Sequence, residues 1–354
     1  MKIAIDISQI PYDTGVSKYT TSLISNLIKI DMENKYLFFA GAFRRKQEIL
    51  KFNQNAKVFP LPPRLADFLW NRFHLLTIEK LIGKVDLIHT SDWAEPPSSL
   101  PKITTIHDLA PLLLPRFTPK VIVEAHKRRL KWVKEESKII IVPSQSTKDD
   151  LIKMSFDTKK IRVIYEAPNI IKARNWQVEN VKRKYSIHDD YIISIGTNPR
   201  KNLKKSIEAY HLSKHGKNLK YIIVGEKRGD ENINDRGVRF LGHVPDGDLS
   251  PLLTGAKLLL FASLYEGLGV PILEGFNCGV PVVTSNISSM PEVAGGAAIL
   301  VDPYDVNSIV EGIEVALSKP KTLVTKGLKR VQDFSWRKTA EETLEVYKEV
   351  LYSN

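Results

Sequence analysis

Short runs of β-branched and aliphatic residues alternate with longer amphipathic stretches along the whole chain. The runs are residues 2–8, 36–40, 86–90, 104–107 and 138–144 in the first half, and 191–197, 219–225, 238–242, 258–263, 280–285 and 298–301 in the second. Nearly continuous Val, Ile and Leu indicates strands buried on both faces, and such strands with helices between them form parallel sheets. The pattern predicts an α/β protein with two doubly wound, Rossmann-like domains.

A domain boundary is expected where this alternation stops. No clear strand lies between Ile164 and Tyr191, and Pro168 and a polar stretch occupy the interval. A chain of 354 residues is also long for one ordinary domain. We place the first domain at 1–167 and the second at 168–335. Ligands of open parallel sheets lie beyond the carboxyl ends of the strands, so two such domains facing each other would enclose a cleft.

The bulk composition limits the class of protein. The apolar and charged fractions, 43% and 26%, are those of a globular protein. No apolar run approaches the ~20 residues that a membrane helix needs, and the first ten residues lack the apolar run of a signal peptide. The single cysteine, Cys278, excludes an intrachain disulfide and fits a reducing compartment, so we expect a cytoplasmic protein.

Positive charge is concentrated in the first half of the chain. Residues 1–166 carry 27 Lys and Arg against 18 Asp and Glu, a net charge of +9, whereas residues 167–354 carry a net charge of +3. The segment 120–138 combines cations at 127, 128, 129, 131 and 134 with apolar residues and predicts a basic amphipathic helix. Such a helix can lie on an anionic membrane surface or contact nucleic acid. A solvated outer helix of an α/β layer is the more common alternative.

The strongest chemical pattern follows the strand 258–263. Glu266 lies just past the strand end, and Gly267 and Gly269 let the backbone approach a ligand closely. A helix that begins near Val270 would direct its free N–H groups and positive dipole at an anion, for which a diphosphate is the natural candidate. Glu274, about one turn into that helix, would accept hydrogen bonds from ribose hydroxyls. Alternatively, Glu266 only stabilises the helix N-terminus and Glu274 is a solvated helix residue.

A second pattern is the basic turn after the strand 191–195. Arg200 and Lys201 follow Gly196 at a predicted strand-to-helix turn. A guanidinium fork beside a compact ammonium suits a pyrophosphate whose negative charge grows as it leaves. Taken without its neighbours, the same turn would be an ordinary solvated basic loop.

Two further turns in the first half are candidates for substrate contact. His107 ends a predicted strand, where an imidazole can touch a sugar hydroxyl or the reacting centre, although an isolated histidine there is more often structural. Gly15 lies at the tip of the turn after the first strand. That turn lacks the Gly-x-Gly-x-x-Gly fingerprint, which disfavours a nicotinamide dehydrogenase. We find no Walker loop, no Cys/His metal cluster and no Asp-x-Asp that would hold the metal of a nucleotide sugar, so we expect neither a cofactor nor a metal requirement.

The motifs, in this order, resemble glycosyltransferase family 4, a group of retaining enzymes with the two-domain GT-B fold. The resemblance covers nearly the whole chain. It is carried by the following segments: Gly-Val-Ser-Lys-Tyr (15–19), His-Asp (107–108), Pro-Ser-Gln-Ser (143–146) opening a helix, Pro-Arg-Lys-Asn (199–202), the strand exit 242–245, Glu with seven residues then Glu (266–274), and residues 280–303. One departure is Tyr165-Glu-Ala-Pro168, where relatives commonly have Asn-Gly. Ser289-x-x-Glu292 is a possible capping box, so we interpret Glu292 as structural.

The resemblance implies a role for each matched position. Arg200 and Lys201 would bind the donor diphosphate and stabilise its departure. Glu266 would contact the donor sugar and Glu274 the ribose. The backbone amides of Leu268, Gly269 and Val270 would contact sugar and phosphate, and His107 would lie beside the anomeric centre. Gly15 would leave space for phosphate or acceptor. A C-terminal helix, 336–354, would pack back toward the first domain.

The sequence thus predicts a retaining hexosyltransferase that uses a nucleotide diphosphate sugar and a carbohydrate or lipid-linked acceptor. The resemblance favours mannose from GDP-mannose. It also implies front-face attack, in which the leaving phosphate itself takes the acceptor proton. The alternatives are a GT-B-fold epimerase or phosphorylase, or a basic module that binds nucleic acid or a membrane. We expect no nucleic-acid partner, and we expect any membrane contact to be peripheral, at the inner face and through the basic first half.

Overall fold

The computed structural model of the chain describes residues 1–227 and 236–352. The chain divides into two compact units, and each is built around its own parallel sheet. The first unit contains Met1–Glu166 and the segment from Ser335 onward, and the second contains Ala167–Phe334. The last two positions of the predicted C-terminal helix, 353 and 354, lie outside the described residues.

The first unit contains a parallel sheet with the strand order β3-β2-β1-β4-β5-β6-β7. Its strands are β1 (Lys2–Asp6), β2 (Lys35–Gly41), β3 (Lys57–Phe59), β4 (Leu87–Ser91), β5 (Lys102–Thr105), β6 (Ser137–Val142) and β7 (Ile161–Val163). The edge strands β3 and β7 were not predicted, because charged residues and a proline within or beside them interrupt their apolar runs. The other five correspond to the predicted runs, with ends shifted by at most two residues.

The second unit contains a parallel sheet with the order β10-β9-β8-β11-β12-β13 among the residues described. Its strands are β8 (Tyr191–Ile195), β9 (Lys220–Val224), β10 (Val238–Phe240), β11 (Leu258–Phe261), β12 (Val282–Ser285) and β13 (Ile299–Val301). All six match predicted runs. The prediction of two doubly wound α/β domains is therefore confirmed.

The helices fill the connections between these strands. In the first unit they are α1 (Gly15–Ile30), α2 (Lys46–Phe52), α3 (Pro63–Ala66), α4 (Glu79–Ile82), α5 (Ala110–Leu113), α6 (Lys120–Glu136) and α7 (Gln145–Lys153). In the second they are α8 (Asn175–Lys184), α9 (Leu203–Leu212), α10 (Asp246–Thr254), α11 (Val270–Asn277), α12 (Met290–Ala294), α13 (Val306–Ser318) and α14 (Pro320–Arg330). The last helix, α15 (Trp336–Tyr352), belongs to the first unit.

Side-chain caps fix where several helices begin. Thr14 accepts a hydrogen bond from the Ser17 amide at the start of α1, and Ser144 does the same for Thr147 at the start of α7. Each such cap satisfies an N–H group that the helix itself leaves unpaired and contributes about 1 kcal/mol. The helix predicted to open at Pro-Ser-Gln-Ser is thus present and capped.

Helix α15 completes the core of the first unit. It packs against α1, and its Val346 and Tyr347 are buried in one hydrophobic cluster with residues of α1 and the central strands. The Tyr347 hydroxyl lies 2.7 Å from Nδ1 of His89 on β4. Burial lowers the pKa of His89 to about 3, so this imidazole stays neutral and ties the helix to the sheet without a buried charge.

A network of buried charges lies beneath α6. Lys102 Nζ is 3.4 Å from Glu95 Oε1 and 2.5 Å from Glu136 Oε2, and Lys102 and Glu95 have at most 1% of their side chains exposed. Arg129 Nε lies 3.6 Å from Glu95 Oε2, and Arg129 is itself buried. Arg129 was predicted to belong to the basic face of this helix. That prediction is wrong for this residue, because its guanidinium neutralises a buried carboxylate instead.

In both parallel sheets the order of the strands changes direction once, between β1 and β4 in the first sheet and between β8 and β11 in the second. At such a switch point the connections leave toward opposite faces of the sheet and open a crevice at the carboxyl ends of the two strands. The residues just after β8 and β11 are therefore the first place to look for a binding site in the second unit.

Candidate active site

The basic turn and the glycine-rich loop predicted from the sequence meet at the switch point of the second unit. Pro199–Lys201 form a 3-10 turn between β8 and α9, and Glu266 lies in the loop between β11 and α11. Lys201 Nζ is 2.6 Å from Glu266 Oε1, and Arg200 Nη1 contacts Glu266 Oε2. Two basic residues from the connection between β8 and α9 thus contact one carboxylate from the connection between β11 and α11.

Further contacts hold the two cations in place. Arg200 Nη1 donates to the carbonyl of Tyr265 over 2.8 Å. The Lys201 ammonium lies 4.4 Å from the centre of the Phe261 ring. Its aliphatic stem passes over Gly196, where a Cβ would come within 3.1 Å of Lys201 Cε. Gly196, which also has a φ of +90°, therefore makes room for the lysine.

The electrostatics of this cluster favour a fully ionised carboxylate. Burial alone would raise the pKa of Glu266, but the charges and hydrogen bonds of Lys201 and Arg200 outweigh that effect and lower the pKa to about 2. The side chains of Arg200 and Lys201 retain 21% and 13% exposure, against 7% for Glu266. A buried anion is thus covered by two partly exposed cations, and the group as a whole presents net positive charge.

Two serines brace the loop that follows Glu266. Ser288 Oγ donates to the Glu266 carbonyl over 2.8 Å, and Ser289 Oγ donates to the carbonyls of Glu266 and Leu268 over 2.9 and 2.8 Å. The capping box predicted for Ser289 and Glu292 is therefore wrong. No side-chain cap bond forms at the start of α12, because the Ser289 hydroxyl is used by the neighbouring loop.

Gly269 turns this loop into α11. It has a φ of +95°, in the left-handed region that glycine adopts at little cost, and the helix begins at the next residue, Val270. Pro271 occupies the first turn, where its missing N–H costs nothing. The positive end of the α11 dipole thus starts four residues beyond Glu266, which is itself bound to Lys201.

Glu274 is buried in the second turn of α11, with 7% of its surface exposed. The alternative that Glu274 is a solvated helix residue is therefore wrong. A carboxylate is removed from water only where polar partners compensate for its lost hydration.

An Asp-x-Asp sequence, Asp246-Gly-Asp248, was overlooked among the possible metal-binding patterns. It lies in the first turn of α10, where Asp248 Oδ2 accepts from Lys184 over 2.5 Å and from the Tyr185 hydroxyl over 2.9 Å. Within residues 1–227 and 236–352, no group of three or more His, Cys, Asp or Glu side chains is arranged to hold a metal ion.

In the first unit, His107 lies two residues beyond the end of β5 rather than on the strand. Its Nδ1 is 3.3 Å from Glu166 Oε1, and its Nε2 is 2.9 Å from Ser91 Oγ. Both ring nitrogens thus have a partner, and the side chains of His107 and Glu166 are each only 11% exposed. Sequence reasoning missed Glu166 and Ser91. The only signal was the departure from Asn-Gly at residues 165–168.

Buried carboxyl groups lie at the switch point of the first unit. Asp6 ends β1 and Asp92 follows β4, and burial raises their pKa values to about 7 and about 6. Gln9, which is also buried, donates from Nε2 to the Ser91 carbonyl over 3.2 Å. With Ser8 and Trp93, Asp6 and Gln9 line a small pocket there. Carboxyl, amide and aromatic groups in one pocket are suited to a polyhydroxylated ligand.

Gly15 is the first residue of α1 and not the tip of the preceding turn. A Cβ built on Gly15 would have no heavy atom within 4 Å. The surroundings of Gly15 within its own unit therefore do not require glycine for packing.

Two family models match the chain. The model described as "Glycosyltransferase Family 4" matches residues 14–169, and the model described as "Glycosyl transferases group 1" matches residues 178–329. The O-antigen chain mannosyltransferase B of Escherichia coli is 29% identical over 381 residues, which cover 98% of this chain and all of that protein.

Solved structures with the same fold cover the chain as completely. Sucrose-phosphate synthase from Thermosynechococcus elongatus superposes with a TM-score of 0.78 at 18% identity and covers 100% of both chains. The Anabaena protein HepE, in complex with UDP and glucose, superposes with a TM-score of 0.75 at 16% identity and covers 99% of this chain and 100% of that one. These solved structures show the shared fold. The two family models and the Escherichia coli relative show that the chain belongs to the group 1 glycosyltransferases of glycosyltransferase family 4 and is a glycosyltransferase.

Proposed function

We propose that this glycosyltransferase transfers mannose from GDP-mannose to a glycan or lipid-linked acceptor, with retention of the anomeric configuration. The support for mannose is the full-length similarity to a protein named as an O-antigen chain mannosyltransferase. The observation that carries the assignment of the site is the convergence of Arg200 and Lys201 on the buried Glu266, three residues before Gly269. An anion larger and more highly charged than one carboxylate fits such a group.

Arg200 and Lys201 are proposed to bind the donor diphosphate. Their side chains keep enough exposure to reach a ligand, and both contact the carboxylate of Glu266. As the bond between the sugar and the diphosphate breaks, negative charge grows on the departing oxygen. Fixed cations and helix amides stabilise that charge more than they stabilise the bound donor, which is the condition for lowering the barrier.

The remaining donor contacts are proposed for the loop and for α11. Glu266 would accept hydrogen bonds from hydroxyls of the transferred sugar, and Glu274 would accept them from the ribose. The amides of Leu268, Gly269 and Val270 would contact sugar and phosphate, since they lie at the start of the helix dipole.

The first unit is proposed to supply the acceptor side. His107 would lie beside the anomeric carbon, with Glu166 fixing the orientation of its ring, and Gly15 would leave space for phosphate or acceptor. The pocket with Asp6 and Gln9 suits hydroxyls of an acceptor sugar, because it offers both hydrogen-bond donors and acceptors.

Retention is proposed to follow from attack on the same face as the departing diphosphate. The acceptor oxygen forms its bond to the anomeric carbon as the bond to the diphosphate oxygen breaks. The proton of the acceptor hydroxyl moves to an oxygen of the leaving diphosphate. No separate protein base is required, because the leaving diphosphate accepts the proton. Glu266, which Lys201 and Arg200 hold ionised, needs no part in this transfer.

The test is a panel of nucleotide sugars incubated with the full chain, first without and then with mannose-terminated acceptors. We expect GDP release to be fastest with GDP-mannose, to rise with acceptor, and to yield an α-linked product by NMR. Release from a different donor would overturn the choice of mannose. An epimerised nucleotide sugar without transfer, or a requirement for inorganic phosphate, would instead indicate the epimerase or phosphorylase alternative.

A further inference from the structure

A dense group of exposed apolar side chains projects from one segment of the first unit. Residues 64–76 include a short π-helical turn, Asp67–Arg72, and two non-glycine residues with positive φ, His74 and Leu76. Five large apolar residues in this segment are between 39% and 58% exposed: Leu65, Phe68, Phe73, Leu75 and Leu76. Single exposed apolar residues are normal on a protein surface, but a contiguous group indicates an interaction site.

The segment is fastened to α6, so these side chains are held outward by a packed backbone. Trp132 Nε1 donates to the Asn71 carbonyl over 2.7 Å, and the ring of His74 stacks on that of Trp132 at 3.6 Å. Arg128 pairs with Asp67 over 2.5 Å. Together these contacts place the second half of α6 beside the segment.

Helix α6 extends the same surface. Val121 and Ile122 in its first turn are 66% and 43% exposed. Val121 lies two helical turns before Arg128 on the same side of the helix, because seven residues span nearly two turns. We call the exposed apolar residues of 64–76 together with Val121 and Ile122 the basic apolar surface, for the charges described next.

The charges around this surface are almost all positive. Residues 61–76 and 113–134 carry nine Lys and Arg against two Asp and Glu. Both acids are already paired, Asp67 with Arg128 and Glu124 with Lys127. Exposed cations include Arg64, Arg72, Lys120 and Lys127. The surface therefore combines protruding hydrocarbon with a rim of positive charge.

We propose that the basic apolar surface docks on an anionic phospholipid bilayer. The phenylalanine and leucine side chains would enter the boundary between headgroups and acyl chains, and the basic rim would contact lipid phosphates. A second copy of the chain would bring like charges together, which disfavours a homodimer through this face. Among the described helices, none is long and apolar enough to cross a bilayer.

This proposal refines the helix predicted from the sequence and does not depend on the identity of the donor. Arg129 of that helix faces the buried charge network, and Arg128 is paired within the protein. The main apolar contribution comes instead from 64–76, a segment without helical periodicity that the sequence analysis did not select.

The test measures sedimentation of the full chain with vesicles of phosphatidylcholine alone and of phosphatidylcholine mixed with phosphatidylglycerol. We expect at least tenfold stronger binding to the mixed vesicles, weakened by salt. The double variant Phe68→Ser/Phe73→Ser and the double variant Arg64→Gln/Lys120→Gln should each lower the apparent partition coefficient about tenfold or more.

Matched controls come from the second unit. Leu300→Ser/Val315→Ser removes apolar side chains of similar exposure, 42% and 44%, and Lys321→Gln/Lys326→Gln removes two exposed charges. Both control variants should bind vesicles like the unaltered chain, and thermal unfolding should confirm that all variants are folded. Equal vesicle binding by all variants, no preference for the anionic vesicles, or loss of self-association in place of lipid binding would overturn the proposal.

Discussion

Lys201 Nζ lies 2.6 Å from Glu266 Oε1, although 65 residues separate them in the chain. The same carboxylate receives Arg200, so one buried anion holds two cations at the switch point of the second sheet. In the proposed complex with the donor, the diphosphate carries more negative charge than Glu266 and would compete for the same cations. The ion pair thus keeps both basic side chains ordered and facing the loop that begins α11.

Lys201→Ala should reduce turnover by about 10²-fold or more, because it removes a cation from the growing negative charge of the leaving group. Steady-state release of nucleoside diphosphate measures the effect. The matched control is Lys204→Ala, which changes an exposed lysine three residues further on. Its turnover should be close to that of the unaltered chain. Near-normal turnover in both Lys201→Ala and Glu266→Ala would refute the proposed site.

Glu266→Gln should make the second unit less stable at neutral pH but not in strong acid. The pKa of Glu266 falls from its ordinary value of 4.5 to about 2 on folding. A lowered pKa contributes stability that is fully present above the unfolded value and is lost as the pH falls toward the folded value. The unfolding free energy of Glu266→Gln should be about 3 kcal/mol lower than that of the unaltered chain at pH 7, and this difference should shrink between pH 4.5 and 2. Urea titrations across this range measure it, and a difference that does not change with pH would contradict the assigned ion pair.

Glu166→Gln should lower kcat by roughly tenfold with little change in KM for the donor, because Glu166 acts as a positioning residue for His107. A double-mutant cycle separates this role from a general structural one. In a His107→Ala background, Glu166→Gln should cause almost no further loss of kcat. Additive losses would show that Glu166 does not act through His107. Glu135→Gln, an exposed change on α6, is the control.

Gly15→Ala should leave the melting temperature unchanged, since a Cβ there meets no atom within 4 Å. If phosphate or acceptor approaches this position, turnover should still fall by roughly ten- to 10²-fold. Gly247→Ala is the matched control, because a Cβ on Gly247 is equally unobstructed. Normal turnover in Gly15→Ala would remove Gly15 from the binding site.

Lys102→Met should destabilise the first unit by about 3–5 kcal/mol, because it leaves a buried carboxylate without one of its cations. Urea unfolding measures the loss. The double variant Lys102→Met/Glu95→Gln should recover part of it, since the uncompensated charge is then removed. A single variant as stable as the unaltered chain would show that Arg129 alone neutralises Glu95.

The sequence predicted the sheets well because a strand buried on both faces must be apolar throughout. Such runs predicted eleven of the strands, and the two missed were three-residue edge strands. The family resemblance also placed the start of a helix at Pro-Ser-Gln-Ser, where Ser144 is the N-cap. These signals need no information about distant residues.

The sequence could not predict contacts that depend on how distant connections meet. Glu166 reaches His107 across 59 positions, and Glu266 reaches Lys201 across 65. The capping box at Ser289 failed for the same reason. The Ser289 hydroxyl donates to the carbonyls of Glu266 and Leu268 in another loop, whereas the local spacing predicted a bond to the first turn of α12. The roles of the site residues remain predictions for the kinetic tests above.

The position of α15 affects the order in which the protein folds during its synthesis. The ribosome releases residues 1–166 first, yet their hydrophobic core includes Val346 and Tyr347 from the end of the chain. The second unit, Ala167–Phe334, is contiguous and has its complete sequence earlier. The first unit is therefore translated first but can complete its core only after α15 has been synthesised. A nascent chain stalled before Trp336 would expose the apolar face of α1 to chaperones and proteases.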